Sequence, residues 1–438
     1  MDYQDSLDYI WSLVNFETTP PETREPYTLE RMARLLTRLG DPQAELTAIH
    51  VAGTKGKGST SAMIESVLRA AGYHTALYSS PHLHSPRERI RIDGVPISRE
   101  AWVDLVRRIR PHVDALGDVT TFELLTAMAF VACAEAAVDV AVVEVGLGGR
   151  LDATNFLDPL VSVITPLALE HTAVLGNTIE EIAAEKGGII KTGRPVVTAG
   201  QTEGALGVLQ RIANARGNAL IVAPRCWAAS HRRASLDGQT LDLIARDDSA
   251  RYSDLHLALL GKHQVENAIV ALTALEVARG RGVMWDDAAL RTGFATVQWP
   301  ARVEVVQRTP LVVVDGAHTE ASARALVETV TEAAPQGWGT TTLILGVSRD
   351  KDVTALMAAL SPLADRLILT RARHPRAADP AQLATHPAVA PRQPRVVTNV
   401  AEAVQKALEW AAPDALIVVA GSLFVAAEAR AAMLNREA

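Results

Sequence analysis

Ala48-Ile-His-Val-Ala52 is a short apolar run that turns at once into Gly53-Thr-Lys-Gly-Lys-Gly-Ser-Thr60, and a helical pattern then continues to about Ala71. A strand passing through a glycine-rich bend into a helix commits the chain to alternating β and α units. Val138–Val145 and Leu160–Thr165 are continuous apolar runs with no polar face, as in strands covered on both sides within a mostly parallel sheet. Between about Ala199 and Leu260 the pattern breaks into short polar segments around Trp227, His231, Gly238 and Tyr252, which predicts a small antiparallel excursion. A helix from Gln264 to Ala278 precedes the proline of Val297-Gln-Trp-Pro-Ala301. Beyond it Leu311–Asp315, Thr341–Leu345, Arg366–Thr370 and Ala415–Ala420 form a second strand series, and Ala372–Gln393 reads as a loop with a weak helix rather than a linker. The expected fold class is α/β: an N-terminal, mostly parallel domain of the P-loop type over 1–298, and a smaller Rossmann-like domain over 299–438.

A chain of 438 residues predicts two or three domains at about 150 residues each. With 43 Lys and Arg against 50 Asp and Glu the net charge is −7, which argues against coating nucleic acid by bulk charge. Aromatics at 4% argue against stacking platforms for single strands. The two cysteines, Cys133 and Cys226, form no metal-like or redox-like pair and are expected to be reduced thiols. The N-terminal stretch carries early acids rather than a basic leader and apolar run, and the apolar stretch Ala415–Ala427 is shorter than the ~20 residues a membrane span needs. A cytoplasmic protein without nucleic-acid or membrane partners is expected.

The bend after the first strand carries chemistry. Gly53, Gly56 and Gly58 let backbone amides converge on phosphate oxygens, and the start of the following helix adds partial positive charge. Thr54, Ser59 and Thr60 add hydroxyls, and Lys57 is placed to reach the β- and γ-phosphates. The spacing differs from the common G-x-x-x-x-G-K-[ST] form, because Val51 stands at its first glycine and Gly58 separates Lys57 from Ser59. Glu144 ends a buried strand at its carboxyl end, where open α/β sheets form ligand crevices, and a charge there needs a partner. A helix-capping or salt-bridging role is the structural alternative.

Gly53-Thr-Lys-Gly-Lys-Gly-Ser59 resembles the nucleotide loop of the Mur ligase superfamily, and within it the folylpolyglutamate synthase and dihydrofolate synthase branch. Five further blocks follow in that family's order: Tyr78-Ser-Ser-Pro-His-Leu83 with Glu88-Arg-Ile90; Val143–Asn155; Leu169-Glu-His-Thr172 with Leu175-Gly176; Glu185-Lys-Gly-Gly-Ile189; and Trp299-Pro-Ala-Arg302 before Asp315-Gly-Ala-His318. The resemblance runs from about Ile49 to Ser422. Four positions depart from the family's usual pattern: Lys55 stands where bacterial members often have Asn, Glu170 where Asp commonly precedes the histidine, Gly187 where Ala usually follows the lysine, and Thr319 where bacterial members frequently have Asn after His318. The eukaryotic enzymes resemble the chain at Lys55 and Thr319.

The resemblance implies ATP and Mg²⁺ as cofactors, with Ser80, Glu144, His171 and a carbamylated Lys186 as the metal ligands. Without it, His171 reads as a satisfied strand-end histidine and Lys186 as a solvated surface lysine. It further implies nucleotide contacts from Asn267, Arg302, Asp315 and His318, with Arg302 supplied across the domain interface. A helix-surface Asn and an interface salt bridge are the structural alternatives. Thr120, Thr121, Phe122, Glu123, Leu151 and Asp152 match positions that hold dihydropteroate in bacterial members, though Thr121 and Glu123 equally suit a helix cap. Ser422 lies near the implied amino-acid site.

The implied reaction joins L-glutamate to dihydropteroate or tetrahydrofolate through an acyl phosphate, with Lys57, Lys186, Arg302 and His318 as catalytic groups in a monomeric enzyme. A hinge is expected at Trp299-Pro300. A Mur-type ligase acting on a UDP-sugar peptide and a regulatory NTPase that forms no amide are the competing readings.

Overall fold

The computed structural model describes residues 1–19 and 27–434. Eight strands make the first sheet: β1 (Ala48–Ala52), β2 (Thr75–Tyr78), β3 (Ile90–Ile92), β4 (Val95–Pro96), β5 (Val140–Glu144), β6 (Val161–Ile164), β7 (Val196–Thr198) and β8 (Leu220–Val222). Their order is β4-β3-β2-β5-β1-β6-β7-β8, parallel throughout except for the β2-β3-β4 edge. Every residue of β1 and β5 is buried. Side chains alternate between faces: Val140 and Val142 join a core with Met63, Val67 and Leu272, whereas Ala141 and Val143 join one with Trp102 and Phe130. At about 1.5–3 kcal/mol per large apolar side chain, these two cores rather than local propensity hold the sheet.

Helix α1 (Lys57–Ala70) leaves the bend after β1, starting three residues earlier than the sequence suggests. Gly56, at φ +82°, takes the left-handed turn that lets the helix begin at Lys57. Helix α2 (Thr121–Glu135) and α3 (Ile179–Lys186) cover the sheet further along the chain. The antiparallel excursion is smaller than expected. Residues 199–226 still belong to the first domain's sheet layer, where a helix over Glu203–Ala215 leads into β8. Only β9 (Trp227–Ser235), β10 (Gly238–Ala245) and β11 (Arg251–Leu257) pair antiparallel, in a sheet of their own. The 199–226 stretch hides its strand because β8 is an edge strand of three half-buried residues. Helix α4 (Lys262–Arg279) and α5 (Asp287–Thr296) then return to the first core, with Ser66 Oγ donating to the Gly293 carbonyl at 2.8 Å.

The third sheet comprises β12 (Glu304–Arg308), β13 (Leu311–Val314), β14 (Thr341–Leu345), β15 (Arg366–Leu369), β16 (Arg395–Val396) and β17 (Leu416–Ala420), ordered β12-β13-β17-β14-β15-β16. Only β12 runs antiparallel. Its last helix, α6 (Leu423–Leu434), follows β17 directly. The link into this sheet is strained: Ala301 and the β-branched Val303 both have positive φ, +56° and +47°. It persists because it is tied down from several sides. Asp315 Oδ2 accepts from Val303 N at 2.7 Å, Glu304 Oε2 accepts from Ala301 N at 2.9 Å, and the Ala301 carbonyl accepts from Gly316 N at 3.0 Å. Among the described residues no helix is long and apolar enough to cross a membrane.

Candidate active site

In the first sheet β1 lies between β5 and β6, so the connections leaving it diverge and a crevice opens at the carboxyl ends of these strands. Gly53–Gly56 follows β1, Ser80 follows β2, Glu144 ends β5, and Glu170-His171 lies beyond β6. The amides of Thr54 and Lys55 bond the Pro166 carbonyl at 3.0 and 3.1 Å, which fastens the bend to the β6 side. The amides that open α1 have no intrahelical acceptor and no side-chain cap, the arrangement that receives an anion.

Two close approaches shape this bend. A Cβ on Gly56 would lie 2.2 Å from Asn267 Oδ1, and one on Gly58 would lie 2.4 Å from the Trp299 ring. Asn267 is therefore a buried residue of α4 pressed on the bend rather than a helix-surface residue, with Nδ2 donating to Gln264 Oε1 at 3.0 Å. Gln264 in turn donates to Ser59 Oγ at 3.3 Å. Gln264 escaped the sequence reading, although it sits one turn before Asn267 on the same helix face. Thr60 Oγ1 is buried with no partner.

Glu144 is 4% exposed, and its one hydrogen bond among the described residues is a long 3.4 Å contact from Ser80 N. Burial pushes its carboxyl up to about 7, against the opposing pull of Lys57, the Ser80 amide and Arg302. A carboxylate so poorly compensated fits a hard cation, which prefers oxygen donors. Lys186 is equally buried, and its Nζ donates to the Gly53 carbonyl at 2.7 Å. Burial and then Lys57 bring its ammonium down to about 7, so this is no solvated surface lysine. As an ammonium it does not fit a metal; as a carbamate it does. His171 has φ +53° at the start of a short turn of helix and is exposed. Partial desolvation of the ring, followed by Lys57, Lys186 and Lys351, lowers its pKa despite Glu170. Among the described residues no three His, Cys, Asp or Glu side chains cluster to hold a metal, so Ser80 and Lys186 would have to contribute.

From the second domain, Arg302 lies between the two strained residues and donates to the Ala301 carbonyl at 2.9 Å. Asp315 is buried, with Oδ1 accepting from Ala317 N at 2.6 Å and Oδ2 from Val303 N, so much of its capacity serves the link. His318 Nδ1 donates to the Gly316 carbonyl at 2.8 Å, which turns Nε2 toward Glu170, 3.9 Å away. Lys55 Nζ donates to the same Glu170 oxygen at 2.9 Å. Burial works against ionisation of Glu170, but His318 and Lys55 outweigh it and hold the carboxyl well below its usual range. Ser422 Oγ accepts from Phe424 N at 3.2 Å at the start of α6.

The six residues assigned to the pterin side separate into two kinds. Thr120 and Glu123 form a capping box on α2, Glu123 also pairs with Arg31 at 3.0 Å, and Thr121 Oγ1 donates to the Ile10 carbonyl at 3.1 Å. Asp152 is buried, accepting from the amides of Leu147 and Thr154 at 2.9 and 3.0 Å. Phe122 and Leu151 remain partly exposed, and the Phe122 ring lies 6.3 Å from that of Tyr78. The sequence reading missed Glu17, whose carboxylate makes a two-point contact with the buried Arg89 guanidinium at 2.8 and 2.6 Å.

Residues 51–275 match the Mur ligase middle domain and residues 301–423 the Mur ligase glutamate ligase domain. The chain is 37% identical over 382 residues to a dihydrofolate synthase/folylpolyglutamate synthase of Bacillus subtilis, covering 86% of each. Folylpolyglutamate synthase of Mycobacterium tuberculosis complexed with ADP superimposes with a TM-score of 0.88 at 35% identity, covering 99% of both chains. A solved FPGS–AMPPCP–folate complex superimposes with a TM-score of 0.84 at 33% identity, covering 99% of this chain and all (100%) of that one.

Proposed function

This chain belongs to the folylpolyglutamate synthase family of the Mur ligase superfamily, and we infer from that membership and its site that it joins L-glutamate to a folate carboxylate at the expense of ATP. One observation carries the reading: Lys57, at the head of α1, bears electrostatically on Glu144, His171 and Lys186, and the charge of Arg302 in the second domain bears on Glu144 as well. Cations are thus gathered where the transferred phosphoryl group must develop charge.

A carboxylate oxygen of the folate attacks the γ-phosphorus of ATP, ADP leaves, and an acyl phosphate forms. The glutamate amine then attacks the acyl carbon, loses a proton, and inorganic phosphate departs as the amide forms. Lys57 and the opening amides of α1 hold the β- and γ-phosphates, Arg302 clamps the moving group, and His318 faces it from the second domain. Asn267, pressed on the bend, and Asp315, tied to the interdomain link, belong to the nucleotide side of this reading. Ser80, Glu144, His171 and Lys186 as a carbamate would hold Mg²⁺, which when bound neutralises phosphate oxygens. Carbamylation of Lys186 is supported by its burial beside Lys57, where exchanging an ammonium for an anion relieves like-charge repulsion. Phe122 and Leu151 offer the pterin a partly exposed apolar edge, with Ser422 on the amino-acid side.

The reading divides the chain into a nucleotide domain, 1–298, and a ligase domain, 299–438, supported by the separate sheets on either side of the strained link. It takes the enzyme as a cytoplasmic monomer, in keeping with the free thiols of Cys133 and Cys226. Dihydropteroate and tetrahydrofolate are both candidate acceptors, to be separated by a mass-resolved assay with Mg-ATP and glutamate. A glutamyl adduct of either supports the ligase; ATP loss without pterin or glutamate, and no amide, overturns it.

A further inference from the structure

Glu170 joins three elements. Lys55 reaches it from the nucleotide bend, His318 reaches it from the loop after β13, and its own backbone leads straight into His171. Lys55 Nζ and His318 Nε2 both face one oxygen, Oε1, at 2.9 and 3.9 Å. The backbone repeats the connection, since the amides of Thr54 and Lys55 already hold Pro166 on the strand-end segment that carries Glu170. The His318 ring is oriented for the contact through Nδ1 and the Gly316 carbonyl, and its backbone N–H donates to Ser322 Oγ at 3.1 Å. The carboxylate is 22% exposed and the Lys55 side chain 41%, so solvent screens the pair mainly from the lysine side. An aspartate there would be one methylene shorter and would have to give up reach toward either Lys55 or His318.

We propose that Glu170 is a positioning residue for domain closure: its carboxylate, paired with Lys55, forms the seat on which His318 docks the second domain over the phosphate site. The proposal rests on the ligase reading for its consequence, because an acyl phosphate survives only where closure excludes water. Lys55 and Glu170, joined at 2.9 Å, act as one unit in this chain. Loss of either loosens closure without removing a group that grips the nucleotide through Lys57.

Spin labels on cysteines introduced at the exposed Arg211 and Gln405, one in each domain, read closure directly. Cys226→Ser removes the partly exposed native thiol. With Mg-ADP alone the parent enzyme is expected to give one short-distance population, and Glu170→Gln a longer and broader one. Lys55→Met is expected to do the same, and the double variant no more than either single change. Glu170→Asp, which keeps the charge, is expected to fall between. In turnover, Glu170→Gln is expected to lower kcat about tenfold while ADP affinity stays within about threefold, and to raise ATP hydrolysis relative to amide formed. A distance distribution unchanged in Glu170→Gln, or independent additive effects of the two single variants, overturns the proposal. The distance measurement contains no folate or glutamate, so it stands or falls separately from the substrate assignment.

Discussion

Trp299 occupies the space in which a side chain on Gly58 would begin: its Cζ2 lies 2.4 Å from where that Cβ would stand. The residue before the interdomain proline is thereby packed on the first turn of the nucleotide helix, and the Arg91 guanidinium lies 5.9 Å from the indole centroid on another side. Phosphate binding at α1 and rotation about the link are expected to be coupled through this contact, since the indole packs on both.

Gly58→Ala is expected to displace Trp299 and cost about 1–3 kcal/mol of stability, as overpacking does. It should also lower kcat/KM for ATP at least tenfold, whereas Gly280→Ala, at a glycine with φ −63° whose added Cβ would meet nothing closer than 3.5 Å, should leave ATP kinetics alone. Thermal unfolding and initial-rate kinetics of the two variants measure both effects. Equal behaviour of the pair would refute the coupling.

Glu144→Gln separates stability from function. Removing a buried charge that has only one long hydrogen bond should stabilise the metal-free protein, by about 1–3 kcal/mol at pH 8. The same change should raise the Mg²⁺ concentration for half-maximal activity at least tenfold. Chelation should abolish turnover in the parent enzyme, and Mg²⁺ should restore it. A variant that is both less stable and unaltered in Mg²⁺ dependence would contradict this assignment.

Lys186 provides a spectroscopic test. In ¹³C-bicarbonate buffer a carbamate resonance is expected in the parent protein and not in Lys186→Met. That variant should be largely inactive, with short carboxylic acids restoring part of the rate by replacing the missing anion. Retention of the resonance in Lys186→Met would assign the carbamate elsewhere.

His50 makes the fold sensitive to acid. It lies buried in the middle of β1 with Nε2 2.8 Å from Thr154 Oγ1, and burial, then Lys191, brings its pKa down to about 3. The unfolded chain binds a proton there near the ordinary histidine value of about 6.5 while the folded one refuses it. Stability is therefore complete above about pH 6.5 and is lost as pH falls toward 3, by a few kcal/mol in all. His82, also brought down to about 3 by burial, Arg89 and His84, adds in the same direction. In melting curves from pH 7.5 to 4, His50→Gln should show a shallower acid decline than the parent, and identical slopes would discount His50.

Much of the site was legible because its chemistry is local. The bend, its lysine and its hydroxyls occupy consecutive positions, and strand-end Glu144 announces itself as a charge after an apolar run. A cap involving Glu123 was legible for the same reason, since a capping box spans only one turn, but the capping hydroxyl belongs to Thr120 rather than to Thr121. The three half-buried residues of β8 were not, because a short edge strand lacks the continuous apolar run of a central one.

From sequence alone come the alternation of strands and helices, the phosphate-gripping bend and the order of the family's blocks, all of which depend on neighbours in the chain. Tertiary structure decided what those pieces do to one another. It buried Lys186 against the Gly53 carbonyl, set Trp299 on Gly58, and brought Lys55 to Glu170 across more than a hundred positions. Such contacts leave no periodic trace in a sequence. They arise only when the sheet order β5-β1-β6 brings distant strand ends to one crevice, and desolvation there changes what a lysine or a glutamate can be.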